Sequence, residues 1–199
     1  MNNILTSPLP TCVTIDGCDY AVHTAFQVWI EAGRLIERIA DLAAGGETAK
    51  MLAGDIARLL MLCYIRLPPT MDKAIDALAA FYVGGGFSAE PRRGSGSAAR
   101  KPPLFCFEQD APYIYAAFMT QYGIDLQAAE LHWWQFRALF CALCDCRFTK
   151  IMEYRSIDIS EVEDDAQKRF YRKMKRLYRL EDRRTAVQKD GAFAELFTM

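Results

Sequence analysis

LHWWQFRALFCAL, residues 131–143, sets Trp133, Trp134, Phe136, Leu139, Phe140 and Leu143 at spacings of one, three and four. Side chains so placed cover more than one face of a helix, and a helix that is apolar on several faces is stable only when other elements surround it. A central helix over 131–143 makes the fold mainly helical. Upstream, Asp110 stands where an N-cap is needed, Pro112 falls in the first turn, and Tyr113, Ile114, Ala117, Phe118 and Tyr122 follow at helical spacing before Gly123. Proline near the start and glycine past the end bracket a second helix. Downstream, after a break at Arg155-Ser156, Ser160 with Glu163 three positions on forms a capping-box pattern for the last long helix. Acidic Glu161, Glu163, Asp164 and Asp165 then precede Lys168, Arg169, Arg172, Lys173, Lys175, Arg176 and Arg179, a polarity that suits the helix dipole. Phe170, Met174, Leu177 and Tyr178 form its apolar stripe.

The amino-terminal half continues the pattern. Val13 and Ile15 alternate with Thr14, Asp16-Gly17 supplies residues that tolerate positive φ, and Cys18, Tyr20 and Val22 alternate on the return, which predicts a short hairpin. Thr24 is placed to cap a helix carrying Phe26, Trp29, Ile30, Gly33, Ile36, Ile39 and Ala40, with Gly45-Gly46 as its stop. A further helix from Glu47 to Cys63 carries Met51, Leu52, Ile56, Leu59 and Leu60. After Pro68-Pro69, Thr70 can cap a third, with Ile75, Leu78, Ala79, Tyr82 and Val83, ending at Gly84-Gly85-Gly86. Residues 84–103, GGGFSAEPRRGSGSAARKPP, have too few apolar side chains to offset ordering entropy and read as a flexible linker. The expected organisation is therefore all-α with a small amino-terminal hairpin: hairpin and helices in 1–83, the linker in 84–103, an aromatic-rich helical region in 104–184 that packs with 1–83 as one domain, and a weakly ordered tail in 185–199.

Composition narrows the function. The 199 residues are 52% hydrophobic and 25% charged, with a formal net charge of -1, as expected of a globular protein lacking a field that attracts nucleic acid or membrane overall. MNNILTSPLPT has no basic segment leading into an apolar core, so it does not read as a secretory signal. Charges such as Arg58, Arg66, Arg137 and Asp145 interrupt every apolar run before the roughly 20 residues a membrane span requires. Seven cysteines in such a chain are expected to stay reduced, and the expected location is a cytoplasm.

Candidate chemistry is sparse. Cys141-x-x-Cys144-x-Cys146 has thiolate spacing compatible with a metal, and His132 lies upstream. Nine residues of helix between His132 and Cys141 span roughly 13 Å, too far for one tetrahedral ion. The expectation is no metal and no cofactor. His23 and His132 are the two imidazoles available to activate a thiol, and each sits where a structural role is expected, so no catalytic residue is assigned and the chain is not expected to be an enzyme. Gly84-Gly85-Gly86 lacks the Lys-Ser/Thr of a phosphate loop. The cations of the last helix admit three readings: a seat for an acidic protein, a nucleic-acid contact helped by Tyr171 or Tyr178, or a solvated face. Arg92, Arg93, Arg100 and Lys101 of the linker admit the last two as well.

Several stretches together, VTIDGCDYAVHTAFQVWI, FEQDAPYIYAAFMTQYGIDL, LHWWQFRALF, FTKIMEYRSIDIS and QKRFYRKMKRLY, resemble the gene-product-15 family of tailed bacteriophages. The order and spacing of His132-Trp133-Trp134, Tyr154-Arg155-Ser156-Ile157 and Phe170-Tyr171-Arg172-Lys173-Met174-Lys175 carry the resemblance. It implies a protein encoded beside the tape measure protein of long-tailed phages, acting in the host cytoplasm as a chaperone-like tail assembly factor. The family has no established catalytic residues to carry over. The chain departs from it in the Gly/Ser/Arg linker and in Cys141, Cys144 and Cys146. The expected partner is the tape measure protein or another tail protein, with self-association as a further option; nucleic acid, the alternative, is not the expected ligand, and no membrane is. Trp133, Trp134, Arg172, Lys175, Arg176 and Arg179 are the partner-binding candidates.

Overall fold

Asp16 and Gly17 both adopt positive φ, 51° and 78°, and so turn the chain between two short antiparallel strands, β1 (Cys12–Ile15) and β2 (Cys18–Ala21). Two successive left-handed residues match the twist of the flanking strands, which is why an Asp-Gly pair suits this position. The computed structural model describes residues 4–45, 49–84 and 103–181. Most of the expected linker at 84–103 and all of the tail at 185–199 therefore lie outside the described residues. The described chain is mainly helical, with α1 (Phe26–Gly45), α2 (Ala49–Cys63), α3 (Met71–Val83), α4 (Ala111–Tyr122), α5 (Trp133–Ala142), α6 (Arg147–Ser156) and α7 (Asp165–Leu177) following the hairpin. It divides into two compact units: the described parts of Met1–Ser97 with Gln127–Ala142, and those of Ala98–Leu126 with Leu143–Met199.

In the first unit α1 packs on α2 and on α5, and α3 packs on β1. An Arg38–Asp55 ion pair at 2.8 Å joins α1 to α2. Thr24 does not cap α1, which starts two residues later. Its carbonyl accepts instead from the Trp133 amide at 2.7 Å, while the Phe26 amide donates to the Leu131 carbonyl at 3.1 Å, so this turn is held to the segment before α5. The buried stripe of α1 is Phe26, Trp29, Ala32 and Leu35; Leu35 and Ile36 are both apolar, so periodicity alone leaves two rotations open. Ring stacks form the core of this unit: Phe26 on Phe136 at 4.5 Å, Trp29 on Phe81 at 4.6 Å, and Tyr82 on Trp133 at 5.1 Å. Such pairs add about 0.5–1.5 kcal/mol each beyond the area they bury.

In the second unit α4 packs on α6 and α6 on α7, with Phe118, Phe148 and Ile151 fully buried. Gly123 closes α4 at φ 65°, donating its amide to the Met119 carbonyl, as a left-handed terminal glycine does. The last helix begins later than the Ser160–Glu163 pattern predicts. Residues Ile159–Glu161 form a 3-10 turn in which Asp158 accepts from the Ser160 amide and hydroxyl. Asp164 is the N-cap of α7, accepting from the Gln167 amide at 2.7 Å. Two consecutive Asx/Ser-x-x-acid/amide patterns, Ser160–Glu163 and Asp164–Gln167, compete here, and the carboxylate, the stronger acceptor, takes the helix start.

Candidate functional site

The partner-binding candidates fall into two groups. Trp133 and Trp134 are 2% and 7% exposed, inside the first unit. Their indole N–H groups donate to the carbonyls of Tyr82 at 3.0 Å and Phe81 at 2.9 Å, and the Arg137 guanidinium donates to the carbonyls of Tyr82 and Gly84, both at 2.8 Å. The last carbonyls of a helix have no partner within it. Here the first turns of α5 supply those partners for α3, and the cation also lies at the negative end of that helix. Gly84 is required by the same arrangement, because a Cβ there would run into the Trp134 ring. The tryptophan pair is thus a helix-terminating device within the core.

His132 belongs to this device as well. The Trp134 amide donates to its Nδ1 at 3.0 Å, so Nδ1 carries no proton, and Nε2 must donate to the Pro10 carbonyl at 2.9 Å. The Gln135 side chain accepts from the His132 amide at 3.1 Å. His132-x-x-Gln135 is therefore a reciprocal cap on α5, with an imidazole where a hydroxyl usually stands. Burial holds its pKa below 6.5, opposed by the hydrogen bond to Pro10. Both ring nitrogens are engaged with backbone, which leaves this histidine no general-base role in the observed arrangement. Cys63, whose carbonyl accepts from the His23 amide, is fully buried and its thiol is pushed up to about 12 by burial, far from an activated nucleophile.

The cysteine cluster has a local explanation in part. Cys146 is the N-cap of α6 in a reciprocal cap with Thr149. Cys144 exchanges backbone hydrogen bonds with the Gln121 side chain. Among the described residues no three His, Cys, Asp or Glu side chains are grouped to hold a metal ion.

Arg172, Lys175, Arg176 and Arg179 lie on or just past α7 in the second unit. Lys175 is half-buried near Asp158, whose carboxyl is held below its usual range first by the Ser160 hydroxyl and amide and in lesser part by Lys175. Arg172, Arg176 and Arg179 are exposed, as are Arg169 and Lys173. No residue of α7 is buried: Phe170 is 47% and Leu177 64% exposed. The helix is held from one side, where Tyr154 of α6 stacks on Tyr178 at 6.1 Å and meets Phe170 edge-on at 6.0 Å. Arg147 donates to the Tyr178 hydroxyl at 3.0 Å.

Arg155, which reads in the sequence as part of a break before the last helix, organises the second unit. Nη1 and Nη2 donate to Asp110 Oδ2 and Oδ1 at 2.7 and 2.8 Å, Nε to the Tyr178 carbonyl at 2.6 Å, and Nη1 also to the Leu104 carbonyl at 2.9 Å. Asp110 in turn accepts from the Cys106 amide at 3.0 Å, and its side chain makes no cap to α4. The planar guanidinium fork suits this bidentate pairing, which a lysine would not reproduce. The small groove beside Pro10, Val13, Phe81 and Trp134 is open and largely apolar, with a volume near 260 Å³; Cys12 and Thr14 also line it, but no acid or imidazole does. No described helix is long and apolar enough to cross a membrane.

Comparison with known proteins agrees with the resemblance read from the residues. The family model described as Bacteriophage Gp15 protein matches residues 5–180. No curated protein and no solved structure matches the chain. With the match spanning the hairpin, every described helix and the stretch between them, the chain belongs to the bacteriophage Gp15 protein family.

Proposed function

We propose that this chain is a non-enzymatic phage tail assembly factor that binds the tape measure protein in the host cytoplasm before the tail tube encloses it. The family match over residues 5–180 is the observation that carries this reading. The physical logic is shielding: a long helical protein with apolar stripes associates with itself unless a partner covers those stripes. Several large apolar side chains stand ready on the surface, among them Met61 at 68%, Ile65 at 64% and Met71 at 54% exposed around the α2–α3 junction. Flexible methionines suit surfaces that accept more than one helical sequence. A second reading, a nucleic-acid-binding accessory protein, is favoured by the exposed cations of α7. It predicts DNA binding that falls steeply with salt and disappears on charge reversal at Arg172 and Arg176.

Co-expression with the adjacent tape measure protein separates the two. The assembly reading predicts that the tape measure protein becomes soluble and co-purifies at physiological salt. A tape measure protein whose solubility is unchanged and which leaves no trace on the tagged chain contradicts it.

A further inference from the structure

The apolar edge of α7 is bounded differently on its two sides. Phe170, Met174 and Leu177 recur at i, i+4 and i+7, and helical residues at that spacing share one face. On one flank are Tyr171 and Tyr178, against which Tyr154 of α6 packs. On the other are Arg169, Lys173 and Arg176, again at i, i+4 and i+7. All three are exposed, and none has an ion-pair partner among the described residues. Phe170 and Leu177 remain 47% and 64% exposed beside them.

We infer that this edge of α7 is the seat for an acidic amphipathic helix, lying along α7 with its apolar stripe on Phe170, Met174 and Leu177 and a row of carboxylates facing Arg169, Lys173 and Arg176. The inference rests on the partner-binding reading above and gives it a surface. Charge complementarity selects the occupant. A cation row beside an exposed apolar stripe rewards a ligand that is both acidic and greasy, because charge sets orientation and association rate while the apolar contact supplies affinity. A second copy fits poorly: antiparallel pairing sets cation row against cation row, and parallel pairing needs the tyrosine flank that α6 occupies. A phosphate backbone would meet the cations but gain nothing from Phe170 and Leu177. A membrane surface calls for a broader apolar face than three residues over two turns.

The test uses the full chain and a synthetic helical peptide with leucines at i, i+3, i+4 and i+7 and glutamates on the flanks, read by fluorescence anisotropy against a lysine-flanked peptide of the same design. The glutamate peptide is expected to bind at least about tenfold more tightly, and to lose about tenfold or more on combined Arg169→Glu, Lys173→Glu and Arg176→Glu or on Leu177→Ser. Circular dichroism checks that each variant is folded, and the neutral Arg169→Gln, Lys173→Gln, Arg176→Gln set serves if the reversal does not fold. Equal binding of the two peptides, or binding that folded variants retain, overturns the inference. So does tighter binding of a short DNA duplex or of phosphatidylglycerol vesicles than of the glutamate peptide, or a dimer of the chain that Leu177→Ser dissociates. Variants that lose the peptide yet still co-purify the tape measure protein would refute this seat while leaving the assembly role intact; loss of both supports the seat.

Discussion

Asp110 and Arg155 are 1% and 10% exposed by side chain and are paired through two hydrogen bonds, so each is the condition for burying the other. Removing one charge strands its partner away from water. Asp110→Asn is expected to destabilise the chain by about 3–5 kcal/mol in urea unfolding, against a loss below about 1 kcal/mol if the pair were a surface contact. Nothing in the sequence marks this pair. Asp110 reads as a helix cap and Arg155 as part of a break, and only folding brings residues that far apart in the chain together. His132 makes a second prediction at this scale. Its pKa is below the ordinary 6.5 in the folded chain because of burial, so the unfolded chain takes up a proton first. Its contribution is complete above pH 6.5 and is lost as pH falls through the folded value, when a proton on Nδ1 meets the Trp134 amide. His132→Asn keeps an N-cap acceptor and does not titrate. Between pH 7.5 and pH 5 the urea midpoint of the wild type should therefore fall further than that of the variant; parallel falls would contradict the cap assignment.

The elements were legible where local chemistry decides them. Asp16-Gly17 fixes the hairpin, Pro112 and Gly123 bracket α4, and Thr70 marks the start of α3, although its side chain makes no cap bond. Misreadings occurred where two local solutions compete. Asp164 prevailed over Ser160 at α7, and α1 gave up its expected Thr24 cap because that carbonyl is engaged with α5. Aromatic density signalled burial that the structure gives to the first turn of α5, at Trp133, Trp134 and Phe136, while Cys141 and Ala142 at its end are exposed. The role of Trp133 and Trp134 in closing the end of α3 depends on a pairing over about fifty residues that no pattern reveals. That closure leads to a test. Gly84 lies at φ -64°, a conformation open to any residue, so its need for glycine is steric. Gly84→Ala is expected to cost about 1–3 kcal/mol by overpacking against Trp134, and recovery of part of that loss in Gly84→Ala with Trp134→Phe would locate the clash. A fully stable single variant would show that the ring moves freely.

At the scale of the whole molecule, the large aromatic rings differ in exposure, and the two tryptophans expected as partner-binding candidates are among the covered ones. Trp133, Trp134, Phe136 and Phe148 are buried in their units, while Phe170 stays half exposed on a helix with no buried residue. The family and helical class were readable because several stretches match in order, whereas exposure depends on which faces the fold covers. Net charge was equally uninformative about local charge patches. A chain of formal charge -1 still places six cations and one acid within Asp165–Leu177. The central claim is that this chain works by laying exposed helical surface on another polypeptide. Hydrogen–deuterium exchange of the chain alone and in the co-purified complex with the tape measure protein tests it most directly. Slower exchange on complex formation, concentrated in α7 or around Met61, Ile65 and Met71, is the predicted result; unchanged exchange at every amide with the tape measure protein present would contradict it.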